Sequence, residues 1–271
     1  MGTPLIQNDN VDPIWRALRQ QAEKLASQEP ALVSFVHVTV LNHHRLEDAL
    51  SYHLARKIGG VFLNSLLTRE IIDEALNKDP ALGLDVRADL GAVFDRDPAC
   101  HSHLEAFLFF KGFHAFEAYR IAHWLWRQKR EGMALFFQSR ISQLFGVDIH
   151  PAAELGRGIM IDHASGVVIG ETAVVEDDVS LLHGVTLGGT GKKVGDRHPK
   201  VRRGVLLSAG ATVLGNVEIG ESSRVGAGSV VVKSVPAQCV AVGVPARFVN
   251  RPGSQEPSRE MDHVIDILDA G

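Results

Sequence analysis

The 271-residue sequence predicts an α+β chain in two domains: an all-α helical domain, then a left-handed parallel β-helix of hexapeptide repeats with one inserted loop. Three observations predict it. Of 17 aromatic residues, 16 precede position 146 and only Phe248 follows it; residues 146–251 hold 17 of the 26 glycines and 21 valines; and from Val201 onward aliphatic residues recur at every sixth position. Large rings fill the gaps between packed helices, whereas thin stacked coils fill their interior with small branched side chains. The boundary is expected near Gly146, with the helical domain over 1–145, the β-helix over 146–250 and a flexible tail rich in Pro, Ser and charge over 251–271.

The helices follow from their punctuation. Asp12-Pro13, Asp79-Pro80 and Asp97-Pro98 each pair an N-cap residue with a proline suited to the first helical turn. Ile14, Leu18, Ala22 and Leu25 then fall at helical spacing, with Pro30 as a stop. Leu46 to Ile58 and Thr68 to Leu76 read the same way, and the apolar run Leu32 to Leu41 is expected as a buried helix. The longest helical region covers roughly Ser102 to Leu144 and is rich in aromatics. Glu105, Lys111, Glu117 and Arg120 within it would be costly in hydrocarbon, so it reads as a bundle and not as a membrane span.

In the second half, Val201, Leu207, Val213, Ile219, Val225 and Val231 are spaced by six, and a small or medium side chain (Val205, Ala211, Val217, Ser223, Ser229, Val235) comes four residues after each. Upstream the period runs through Ile149, Leu155, Ile161 and Val167, shifts by two, and resumes as Ile169, Val175, Leu181 and Leu187. Such a period stacks coils around one aliphatic column. It breaks once, between Leu187 and Val201, where residues 188–200 must leave the coil as a loop. Over 192–203 there are six Lys or Arg against one Asp, so this is either a solvated basic loop or a site for anionic groups. The spacing required of a nucleotide-binding P-loop fails at Thr186 and Lys193.

Composition narrows the function classes. With 45% apolar and 22% charged residues the chain can bury a core, and a net charge of −4 argues against a nucleic-acid partner. Two cysteines, Cys100 and Cys239, and no basic stretch joined to an apolar core at the N-terminus argue against a disulfide scaffold and a secretory signal; the expected location is cytoplasmic. His163 and His183 occupy the third place of their hexads and should face the same way on adjacent coils, about 4.8 Å apart. A zinc site needs three convergent ligands, and His150 and His198 fall in other frames, so no metal is expected. Acid–base chemistry fits better: an imidazole is a suitable general base near neutral pH, Asp162 precedes His163 on a corner, and Asp148 can approach from the neighbouring coil. From spacing alone each acid reads first as a cap or corner residue and only then as catalytic, and Asp97 reads as a helix N-cap.

The stretches VDIHPAA (147–153), GRGIMIDHA (156–164), VTLGGTGK (185–192) and GDRHPK (195–200), with RDPA (96–99), KGFHA (111–115) and HWLW (123–126), closely resemble the serine O-acetyltransferases. The resemblance implies direct transfer of acetyl from acetyl-CoA to the L-serine hydroxyl, with His163 as general base and Asp148 orienting it. It implies serine contacts from Asp97, Asp162, Arg197 and His198, backbone contacts to CoA from Gly189, Ala209 and Ala227, and Lys192 and Lys193 near the phosphates. It further implies L-cysteine as feedback inhibitor and a homohexamer, a dimer of trimers joined through the helical domains, with active sites between neighbouring subunits. The family tail often ends in isoleucine for docking to O-acetylserine sulfhydrylase; this sequence ends Asp266-Ile267-Leu268-Asp269-Ala270-Gly271, a departure that leaves this partner open to three readings: a truncated tail, a tail that works differently, or no complex. The alternatives are another hexapeptide-repeat acyltransferase or a partner-binding scaffold.

Overall fold

A computed structural model describes residues 12–191, 194–249 and 255–261. Helix α1 (Pro13–Gln28) starts where Asp12 accepts the Trp15 amide at 3.0 Å, and it buries Trp15, Leu18 and Ala22. Residues 32–41 are helical as expected, but as α2 (Val33–Val36) running into a wide π-type turn, His37–Leu41. Only Val36, Thr39 and Val40 are buried there, and Val38 is exposed, so the run covers the core with one face. Helices α3 (Leu46–Ile58), α4 (Ser65–Lys78) and α5 (Pro80–Arg96) follow, with Asn64 and Asp79 capping the last two.

The third Asp-Pro pair does not start a helix. Asp97 ends α5 in extended backbone, as a residue before proline prefers, and its Oδ1 takes the Ala99 amide at 2.8 Å in a single turn. Helix α6 (His103–Phe109) begins instead at Ser102, which accepts the Glu105 amide while Glu105 reaches back to the His101 amide, a reciprocal cap that outcompetes a lone aspartate. The aromatic-rich region is three helices: α6, then α7 (Lys111–Arg127) and α8 (Glu131–Phe145). Gly146, at φ +69°, closes α8, and the first strand starts at Val147. Among the described residues no helix is long and apolar enough to cross a membrane.

The β-helix has three parallel ladders. Their inward residues stack as Ile149, Ile169, Leu187, Val213 and Val231; as Leu155, Val175, Val201 and Ile219; and as Ile161, Leu181, Leu207, Val225 and Ala241. The two-residue shift lies earlier than the aliphatic pattern suggests. Val167 pairs with Val147 and belongs with the strand that carries Ile169, so the extra residues fall in the corner between Ile161 and Gly166. An antiparallel hairpin, Val240–Gly243 with Ala246–Val249, closes the far end of the stack. The tail is packed where it is described: in helix α9 (Pro257–Glu260) Pro257 and Ser258 are buried, and Ser180 Oγ donates to the Ser258 carbonyl at 2.7 Å.

The helices grip the β-helix through buried polar contacts. Arg120 of α7 pairs with Asp89 of α5 at 2.6 Å and donates to the Gly156 carbonyl at 2.7 Å, while Asp89 accepts the Ile159 amide at 2.9 Å. Glu117 lies beside them, fully buried. Burial, and then the Asp89 carboxylate, push its carboxyl well above the usual range.

Candidate active site

The corner that contains the two extra residues brings candidate acid–base side chains together. Where the next coil passes with Leu182 and His183, the first coil makes a four-residue excursion, Asp162-His163-Ala164-Ser165. His163 and Ala164 both adopt left-handed backbone, at φ +53° and +58°. Such conformations cost non-glycine residues on the order of 1 kcal/mol or more each and persist only where the surroundings enforce them. The excursion lifts the His163 side chain, 75% exposed, off the coil. Its Nε2 lies 3.7 Å from Asp162 Oδ2, and its ring meets that of His183 edge-on at 5.8 Å, the adjacency expected of the two hexad positions.

A cavity of about 420 Å³ opens beside this corner, between α5, the start of α7 and the coil, and Asp97, Lys111, Gly112, Asp162, His163 and Ser165 all line it. Asp97 reaches the cavity because the turn after α5, not a helix, holds it. Burial raises the Asp162 carboxyl above its ordinary range; His163 opposes that shift, and the Asp97 charge adds to it. Two acids and an imidazole thus face one space. That set can hold an ammonium group next to a proton acceptor.

Asp148 stands on the strand Val147–Ile149 with Val168 as its ladder partner, and its Oδ1 accepts Gln138 Nε2 of α8 at 2.6 Å. Among the described residues no hydrogen bond joins Asp148 to His163. Arg197 and His198 occupy a different edge, where the inserted loop returns to the coil. Arg197 pairs with Glu171 at 2.6 Å. His198 is buried against the bare backbone of Gly170, where a Cβ would come within 2.1 Å of the ring. Its Nδ1 accepts the Thr172 amide at 3.1 Å, and burial followed by the Arg197 charge lowers its pKa, so the ring is neutral with its proton on Nε2.

The predicted CoA contacts divide in the same way. Ala209 and Ala227 continue the edge of His163 and His183 onto the next coils: the carbonyls of Ser165, His183 and Ala209 accept the amides of Gly184, Gly210 and Gly228 in turn. Gly189 lies with Arg197 and His198 on the loop edge. Lys192 and Lys193 fall outside the described residues. Sequence reasoning gives no role to Lys111, Gly112, Ser165, Thr172 or Glu171, although Lys111 and Gly112 fall in the KGFHA stretch; a further signal is the glycine in the first turn of a helix, at Gly112, where close backbone approach is the usual reason.

A β-helix of six-residue repeats with a histidine corner beside a cavity that two acids line is the architecture that the resemblance to hexapeptide-repeat acyltransferases leads one to expect. A profile described as "Serine acetyltransferase, N-terminal" matches residues 14–118. Serine acetyltransferase of Salmonella typhimurium is 51% identical over 94% of this chain and 93% of that protein, and that of Haemophilus influenzae 49% over 95% and 97%. A serine acetyltransferase structure in complex with cysteine superposes with a TM-score of 0.92 at 50% identity, covering 93% of this chain and 98% of that one. The Brucella abortus enzyme with coenzyme A gives 0.89 at 49% (90% and 98%), and the Neisseria gonorrhoeae enzyme with serine 0.85 at 48% (89% and 99%). The chain belongs to the serine acetyltransferase family.

Proposed function

We propose that this chain transfers acetyl from acetyl-CoA to the L-serine hydroxyl in the cytoplasm, with His163 as general base. The observation that carries the proposal is the left-handed Asp162–His163 corner opening onto the cavity that Asp97 also lines. An alcohol is a poor nucleophile at neutral pH, so the imidazole takes the serine hydroxyl proton as the oxygen attacks the thioester carbonyl. The tetrahedral intermediate then expels the CoA sulfur, which receives that proton, and no acyl-enzyme forms. Assistance of this kind is worth about 10² to 10⁴ in rate. Asp97 and Asp162 hold the substrate ammonium, which has no lone pair, and so direct acylation to oxygen. Asp148 orients the imidazole, and Gln138 holds its carboxylate.

Arg197 and His198 complete the serine site from a neighbouring subunit, since one chain holds them on a different edge from His163. Arg197 would take the substrate carboxylate and the neutral His198 would donate from Nε2. CoA lies along the edge of Ala209 and Ala227, and Gly189, Lys192 and Lys193, which share the loop with Arg197 and His198, come to its phosphates from the neighbouring subunit. The assembly is a dimer of trimers, and L-cysteine competes for the serine site.

The test is thiol release from acetyl-CoA against a panel of acceptors, with and without L-cysteine. Turnover with L-serine that cysteine suppresses is expected; turnover only with sugars or amines would replace the acceptor, and none at all would leave a scaffold. Site sharing is checked by mixing inactive His163→Ala and Arg197→Ala subunits. Random assembly should restore roughly a quarter of the sites, and no recovery after verified exchange would place each site within one chain.

A further inference from the structure

The four-residue excursion at 162–165 is bound to the next coil at its ends, where Asp162 donates to the Leu181 carbonyl at 2.8 Å and Ser165 accepts the Gly184 amide at 2.9 Å, and it is buttressed from outside the β-helix as well. Lys111, the first residue of α7, donates from Nζ to Ser165 Oγ. Its neighbour Gly112 sits so close to the coil that a Cβ would lie 1.9 Å from the Ile161 carbonyl oxygen, the last strand atom before the excursion begins. The excursion's own bonds are short-range: Ala164 donates to the Asp162 carbonyl at 2.6 Å and Ser165 to the His163 carbonyl at 2.7 Å. These fold the left-handed apex upon itself between its two coil-bound ends. From outside the coil α7 touches both ends, with Gly112 packed on Ile161 and Lys111 bonded to Ser165. The equivalent corner of the next coil, Leu182-His183, has no left-handed non-glycine residue and needs no such support.

Resting on the reading of His163 as the base, we propose that Lys111 is a positioning residue: through Ser165 it holds the left-handed corner so that the His163 imidazole meets the acceptor hydroxyl. The ammonium acts on the corner and not on substrate, and Gly112 sets the distance at which α7 delivers it. A base displaced by about 1 Å can lose on the order of 10²-fold in rate without losing its substrate. The helical domain therefore enters the chemistry twice, once through Asp97 and once by fixing the geometry of a histidine that belongs to the other domain.

Three variants test this in the full-length protein: Lys111→Met, Ser165→Ala and the double substitution. Because the two side chains act through one bond, each single variant should lower kcat by a similar factor, between about 10-fold and 100-fold. The double variant should be no worse than the poorer single one, and KM for acetyl-CoA should stay within about twofold of the parent. Lys111→Arg, which keeps the donor, should recover part of the rate. Hydrogen exchange over residues 162–166 should quicken in both single variants, a readout independent of turnover. Losses that multiply in the double variant would overturn the proposal. So would Ser165→Ala at parental kcat, or a rise in KM for serine at unchanged kcat in Lys111→Met, which would put the ammonium on substrate. If Lys111→Met does not fold, Ser165→Ala alone still decides. Faster exchange in a protein that never turns over serine would keep the latch and sink the acceptor assignment; unchanged exchange with normal serine turnover would do the reverse.

Discussion

In the helical half, His53 and His114 lie inside the core, edge to face at 4.9 Å, and each bonds a carbonyl at the end of α6, Leu108 for His53 and Phe107 for His114. Burial pushes His53 down to about 4 and His114 well below its ordinary value, with the Lys57 charge lowering both. In the β-helix half, His163 and His183 stand on an outer edge, both exposed. The contrast follows from the two interiors. A bundle has room between cylinders and helix ends that need partners, so it can bury an imidazole and even the Asp89–Arg120–Glu117 cluster. The β-helix column is a narrow stack of aliphatic residues with its backbone spent on the ladders, so polar chemistry is displaced to the corners.

The largest expected effect breaks or confirms that division at once. His163→Ala should cost about 10² to 10⁴ in kcat while the melting temperature is unchanged, whereas His114→Ala should lower melting first; a catalytic loss from His163→Ala confined to twofold would remove the corner from the chemistry. Next comes the buried charge at the domain seam. Arg120→Met strands Asp89 without a counter-charge, and denaturant titration should show a loss of about 3 to 5 kcal/mol. Glu117→Gln, which replaces a carboxyl that burial pushes toward its neutral form, should be close to neutral by the same measurement.

The buried histidines give the stability a pH dependence of known sign. Their folded pKa values are depressed, so the unfolded chain binds more protons below about 6.5; their contribution is complete above that pH and is lost as pH falls toward about 4, the folded value for His53. For His53 the full difference is roughly 3 kcal/mol. Buried carboxyls raised by desolvation, Glu117 and Asp162 among them, act in the opposite direction. The comparison is therefore between the parent and His53→Gln: the parent should lose more stability between pH 7 and pH 4.5, and parallel curves would show that His53 does not titrate with folding. The smallest effect is on the active edge. Gly184 has φ +70°, and an added Cβ would sit 3.4 Å from the Gly210 Cα, so Gly184→Ala should cost about 1 kcal/mol in a melting experiment.

The repeat was legible because a period of six leaves no freedom: one slipped residue turns the whole aliphatic set outward. The starts of α1 and α5 were legible because Asp12 and Asp79 bond amides within three residues, which is a local event. Asp97 misled for the same local reason; an Asp-Pro pair looks alike whether it opens a helix or a single turn, and the Ser102–Glu105 cap that decided the matter lies five residues on. The two-residue shift was found but misplaced, because Val167 is aliphatic and suits either frame until its pairing with Val147 is seen. Lys111 with Ser165 had no pattern to read, since the two are 54 residues apart and meet only where domains touch. The separation of Arg197 and His198 from His163 was countable in principle, since hexad position fixes the edge on which a residue stands.

Gly166, Gly184, Gly210 and Gly228 lie one above another on the edge that begins at His163, each with positive φ, so that edge is bare backbone from coil to coil. A stack of this kind is a ruler graduated in steps of about 4.8 Å, and three steps separate its first mark from its last. The proposed CoA, laid along this edge, would meet positive-φ glycine backbone at each graduation, where a side chain would be strained and would stand in its way.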